Sequence, residues 1–181
     1  MGKQKIVTVG PASIGKTSLI NALCDREFNE DQMPTIAQEF ISQEVMFEGH
    51  TFTNEYWDTA GQERFSHLNG YYIHGANIVL ALCYANDLSS LESSLSVVNN
   101  TIGSNEYELI IVFSKWDIES VDDVTLRKAI NDVKIYNPRD VIPTSSKIHY
   151  NIEELKTIIS SCYHESTVSE HPVLKTQSSC C

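Results

Sequence analysis

The chain has 181 residues, a formal net charge of -11 and a hydrophobic fraction of 41%. That is enough for one domain with a real core. The acidic balance argues against a non-specific nucleic-acid binder held by phosphate contacts, and the composition is neither disordered, collagen-like nor repetitive. Five cysteines, Cys24, Cys83, Cys162, Cys180 and Cys181, contain no CxxC pair and suggest neither a disulfide framework nor a zinc site. A reducing compartment fits that usage. The most apolar stretch, residues 78–85, is far shorter than the roughly 20 residues of a membrane-spanning helix, and no long apolar leader opens the chain. Gly2 invites myristoylation, but Ile6 stands where that pattern wants Ser or Thr.

Short apolar runs alternate with helical patterns along the chain, which predicts an α/β domain with a mostly parallel sheet covered on both faces. Strands are expected over residues 5–9, 40–47, 51–57, 78–84, 109–113 and 141–143. Glu48-Gly49-His50 is a connection short enough only for a hairpin, so one antiparallel strand should lie at the sheet edge. Helices are expected over 18–24, 89–100, 122–136 and after Tyr150. In the last, Ile152, Leu155, Ile158, Ile159 and Cys162 form one stripe, with Asn151 as N-cap and Glu154 three residues on. Residues 1–163 therefore read as the domain and residues 164–181, which lose periodicity, as a flexible tail. Asn54 stands where strand alternation expects an apolar residue.

The first strand runs straight into GPASIGKTS, placing Gly10, Gly15, Lys16 and Thr17 on the spacing GxxxxGK[ST] between a strand and a helix. Backbone N–H groups of such a loop wrap phosphates, Lys16 neutralises the outer ones and the Thr17 hydroxyl ligates magnesium. Ser13, Ile14 and Ser18 complete the phosphate-facing set. A terminal-phosphate sensor follows in WDTAGQERF. There Asp58 can hold a magnesium-bound water, Gly61 can offer its N–H to the phosphate, and Gln62 can orient an attacking water.

GPASIGKTS, Thr35 in MPTIAQEF, WDTAGQERF, SKWD and TSSK form an ordered series over residues 5–147 that resembles Ras-like small GTPases. Trp57 ahead of DTAGQERF and the terminal double cysteine narrow the resemblance to the Rab family. It implies a P-loop GTPase fold with a six-stranded sheet and five helices, GTP or GDP with magnesium as ligands, and switch segments around Thr35 and Gln62. It also implies metal contacts from Thr17, Thr35 and Asp58, with catalysis resting on Gln62 and Lys16. For the base, Asp117 can accept two hydrogen bonds that guanine supplies and adenine does not, and the stem of Lys115 can pack on one ring face. Phe28 resembles the family's base-covering aromatic, and TSSK would present the N–H of Ser146 beside Lys147.

The chain departs from the family pattern at several positions. Ser114 replaces the Asn of NKxD and, being shorter with one donor, should not reproduce that residue's bridge between base and phosphate loop. Ala37 stands in place of a Gly after Thr-Ile, and His74 in place of an Arg after the paired aromatics. Phe40, Trp57 and Tyr72 match the family's effector-facing aromatic trio, each being either an exposed anchor or a core-edge residue. The resemblance further implies an exchange factor, a GTPase-activating protein, effectors, a prenylation escort and a GDP-dissociation inhibitor as partners. Cys180 and Cys181 would each carry a geranylgeranyl group, tethering a vesicle-trafficking switch to the cytosolic face of internal membranes. One lipid anchors only marginally, and two suffice. Two rivals remain: a nucleotide-responsive interaction protein with little or no hydrolysis, motivated by Ala12, Ser13, Ala37 and Ser114, and an ATP-using P-loop phosphotransferase, which Asp117 disfavours.

Overall fold

The computed structural model describes residues 2–31, 39–58, 73–102 and 107–163. Six strands form one sheet: β1 (Gly2–Val9), β2 (Glu39–Phe47), β3 (His50–Asp58), β4 (Ile78–Cys83), β5 (Glu108–Phe113) and β6 (Asp140–Pro143). Their spatial order is β2-β3-β1-β4-β5-β6. Every neighbouring pair is parallel except β2 with β3, and the antiparallel strand lies at the edge as its hairpin demands. The described residues include four α-helices: α1 (Lys16–Leu23), α2 (Ser89–Ile102), α3 (Asp123–Val133) and α4 (Ile152–Ser161). Four of the five helices that the resemblance implies are thus among the described residues, whereas Thr35, Ala37, Gly61, Gln62 and Tyr72 lie outside them, as do Cys180 and Cys181.

Burial on both faces explains why the central strands read as unbroken apolar runs. Along β4, Ile78, Leu80 and Leu82 join Ile6, Leu19, Leu23, Leu155 and Ile159 in one core, under α1 and α4. The alternate residues Val79, Ala81 and Cys83 turn to Leu91, Leu95, Val98, Ala129 and Val133, under α2 and α3. Period-two alternation thus divides one strand between two cores. Burial also pushes the Cys83 thiol up to about 12.

Several element ends differ from the sequence expectation. β1 begins at Gly2 because residues 2–5 pair with 52–55 of β3, a partnership that local polarity hides. The expected 122–136 helix is Asp123–Val133 followed by a 3-10 turn, Lys134–Tyr136, with the Asp122 carboxylate accepting from the Thr125 N–H at its start. Asn151 does occupy the N-cap of α4, but in the left-handed region and without capping through its side chain. Its amide instead donates to the Pro143 carbonyl at 3.0 Å, tying the helix start to the end of β6.

Asn54 is buried on the inner face of β3, opposite Gln4 of β1 in the register. Gln4 Nε2 donates to the Ile159 carbonyl of α4 at 2.9 Å, and Asn54 Nδ2 donates weakly to the Tyr56 hydroxyl at 3.3 Å. Asn54 Oδ1 meets no hydrogen-bond partner among the described residues. At the same end of the sheet Tyr163, the last residue of the expected domain, stacks flat on Phe52 with centroids 4.0 Å apart.

Candidate functional site

The carboxyl ends of β1, β3, β5 and β6 open on one edge of the sheet, the position at which open α/β sheets bind ligands. The loop after β1 supplies the cradle. Gly10 has φ 145°, and a Cβ there would come within 2.7 Å of the Leu82 carbonyl oxygen, so only glycine lets the loop pass this close to β4. Gly15, at φ 107°, turns the chain into α1 and receives the first helical bond from Leu19 N–H at 2.8 Å. Ser13 adopts φ 61° without being glycine, a conformation that costs a side chain about 1 kcal/mol.

Lys16 is almost fully buried, and its ammonium donates to the carbonyls of Gly10 at 3.0 Å and Pro11 at 2.8 Å. The cation therefore stands over the loop whose N–H groups would face phosphate. Thr17 follows on α1 and donates its hydroxyl to Asp58 Oδ2 at 2.5 Å. Asp58 ends β3 with 1% of its surface exposed. A hydroxyl and a carboxylate brought together beside a phosphate cradle are the hard oxygen donors that magnesium takes, so these residues fit that ion.

At the other end, β5 leads into Ser114, Lys115 and Asp117. The Ser114 hydroxyl donates to the Ile14 carbonyl at 2.6 Å, and Oγ lies 3.1 Å from where a Cβ of Gly15 would be. Serine thus reaches the loop side of the expected bridge. One hydroxyl proton makes that link, and none is left to donate toward a base. Lys115 takes φ 56° and sets its ammonium 5.9 Å from the Tyr84 ring centroid. Asp117 Oδ1 accepts from the Ser145 hydroxyl at 2.7 Å, and Trp116 N–H bonds the Thr144 carbonyl at 2.9 Å. Those two contacts join the SKWD and TSSK segments.

Ser145 is fully buried, and sequence reasoning passed over it in favour of its neighbours Ser146 and Lys147. Its only sequence signal is its place inside TSSK. Lys147 itself pairs with Glu30 at 2.5 Å. Phe28 is 37% exposed on the segment leaving α1. Ser18 stands half-buried in the first turn of α1.

Of the aromatic trio, Phe40 and Trp57 face each other across β2 and β3, with rings edge to face at a 5.1 Å centroid distance. Phe40 is 49% exposed, and Lys5 Nζ sits 4.5 Å from the Trp57 ring centroid. The same ammonium donates to the His74 carbonyl at 2.9 Å, and burial lowers its pKa. The His74 side chain is exposed.

The model of the Ras family matches residues 5–164, so the chain belongs to the Ras family. Its relatives are Rab proteins. It is 28% identical over 158 residues to the Ras-related protein RABG3f of Arabidopsis thaliana, spanning 83% of this chain and 77% of that protein. Rab7 of Pisum sativum matches to the same extent, again at 28%. Rab-34 of Homo sapiens is 33% identical over 119 residues, 64% of this chain and 46% of that protein. The chain is therefore a Rab-like small GTPase of the Ras family, a class of GTP-binding switches that take guanine nucleotide with magnesium.

Proposed function

We propose that this chain is a guanine-nucleotide switch that hydrolyses GTP slowly and recruits partners to internal membranes during vesicle trafficking. The observation that carries the reading is the convergence of three parts on one sheet edge. They are the glycine-turned loop with Lys16 above it, the Thr17–Asp58 pair, and the Asp117 carboxylate held by Ser145. A phosphate cradle alone serves many nucleotides. Asp117 adds a base filter, since guanine offers it two N–H donors and adenine does not.

In this reading the loop N–H groups and Lys16 bind the phosphates, and Ser146 and the stems of Lys115 and Lys147 line the base under Phe28. Thr17, Thr35 and Asp58 would hold magnesium, which supplies neutralisation of charge on the phosphate oxygens. Thr35 and Gly61 bond the terminal phosphate and order their segments, and loss of that phosphate releases them. Gln62 orients the attacking water. The phosphate loop and the Thr35 segment hold no arginine, so fast turnover needs a side chain from an activating protein.

The Phe40–Trp57 pair offers effectors an aromatic anchor, to which Tyr72 adds by resemblance. By resemblance, geranylgeranyl groups on Cys180 and Cys181 provide the membrane tether, two lipids being enough for stable anchoring. No helix among the described residues is long and apolar enough to cross a membrane. Incubating purified protein with labelled GTP and, separately, labelled ATP tests the reading. Slow production of GDP with no ADP is expected. Binding of GTP without turnover would favour the nucleotide-responsive interaction protein, and turnover of ATP the phosphotransferase.

A further inference from the structure

The segment carrying Phe28 leaves α1 at Cys24 and runs to Asp31. Its backbone bonds turn back on α1, from Asp25 N–H to the Ala22 carbonyl and from Arg26 N–H to the Asn21 carbonyl, and Asp31 N–H bonds the nearby Asn29 side chain. Among the described residues, two ion pairs join this segment to later parts of the chain. Asp25 meets Lys156 of α4 at 2.6 Å, across 131 positions of chain. Glu30 meets Lys147 of the TSSK segment at 2.5 Å, across 117 positions. Phe28 lies between these two anchors.

We propose that the Glu30–Lys147 pair is an ionic clasp closing the Phe28 strap over the base end of the site, which makes Glu30 a positioning residue for nucleotide retention. The inference rests on the guanine-nucleotide reading above. At its Asp25 end the strap is secured by helix-end backbone bonds as well as by Lys156, which Glu153 also holds at 2.8 Å. At its Glu30 end the tie among the described residues is Lys147. For a base to leave past Phe28 the strap must lift, and lifting at that end separates Glu30 from Lys147.

The hydrogen bond between the two side chains holds the Glu30 carboxyl below the usual carboxylate range and Lys147 above the usual lysine range. Both side chains are open to water, 68% and 52% exposed, so the clasp is weak and sensitive to salt. A pair of this kind changes a rate by about two- to five-fold.

The test is release of a fluorescent GDP analogue from the full chain, at about 0.01 M and about 1 M salt, where the Debye length is roughly 30 and 3 Å. Wild-type protein should release faster at high salt. Glu30→Gln should release about two- to five-fold faster than wild type at low salt and show little salt dependence. Glu30→Asp, which keeps the charge, should fall between them, and Asp25→Asn should leave release unchanged. Equal release from Glu30→Gln and wild type at low salt would overturn the clasp, as would an equal acceleration by Asp25→Asn. If wild-type protein binds no GDP analogue, the guanine-nucleotide reading fails instead. Hydrogen exchange of the strap then decides the clasp: faster exchange over residues 25–31 in Glu30→Gln supports it, and unchanged exchange removes it.

Discussion

The Ser114 hydroxyl donates to the Ile14 carbonyl at 2.6 Å, fastening the end of β5 to the phosphate loop 100 positions earlier in the chain. Ser114 is 7% exposed, so the carbonyl it serves has few alternatives. Ser114→Ala should leave that acceptor unserved and loosen the loop, costing about 1–3 kcal/mol of stability. Ser114→Asn carries two amide protons, one for the loop and one for the base, and should slow GDP release by up to roughly tenfold. Thermal unfolding and analogue release measure the two effects. Equal or faster release from the Asn variant would mean that the base end is already complete.

A second prediction concerns the polar pair on the inner face of β3. Tyr56 is buried, which raises its phenol pKa, and its hydroxyl accepts from Asn54 Nδ2. Asn54→Leu alone leaves that hydroxyl without its donor but also removes the unserved Asn54 Oδ1, so it should cost no more than about 1 kcal/mol. Replacing both partners, as Asn54→Leu with Tyr56→Phe, should be close to neutral because neither unserved polar atom remains buried. Urea unfolding of the two single variants and the double variant gives the coupling. Additive losses would show that the Asn54–Tyr56 bond is not the relevant contact.

Gln62→Leu should retain nucleotide and slow hydrolysis, since it removes the amide proposed to orient water and spares the phosphate cradle. Single-turnover measurements, alone and with an activating protein, read this. An unchanged rate in both would take Gln62 out of the mechanism.

Removing Cys180 and Cys181 should leave folding and GTP binding unaltered and move the protein from membranes to the soluble fraction, because both proposed lipid sites are lost together. Cell fractionation reads the shift. Persistence in the membrane pellet would contradict the lipid tether.

The sheet was legible because its strands are buried on both faces and read as plain apolar runs, and because Glu48-Gly49-His50 permits only a hairpin. The phosphate loop was legible because its glycines and lysine keep a fixed spacing next to a strand. What local pattern could not reveal depends on distant partners. Gly2, Lys3 and Gln4 extend β1 only because β3 pairs with them, and Asn151 does not cap through its side chain because it sits in the left-handed region with its amide donating to the Pro143 carbonyl. Ser145 and Glu30 belong to the same class. One is an unremarked serine that fixes Asp117, the other a surface acid whose partner is 117 positions away.

On the proposed function, the loop after β1, the Thr17–Asp58 pair and Asp117 together select a guanine nucleotide. Calorimetric titration of nucleotide-free protein with GDP and with ADP, with and without magnesium, tests it most directly. One GDP per chain, tightened by magnesium, and negligible heat from ADP are expected. Equal binding of ADP, or no binding of GDP, would contradict it.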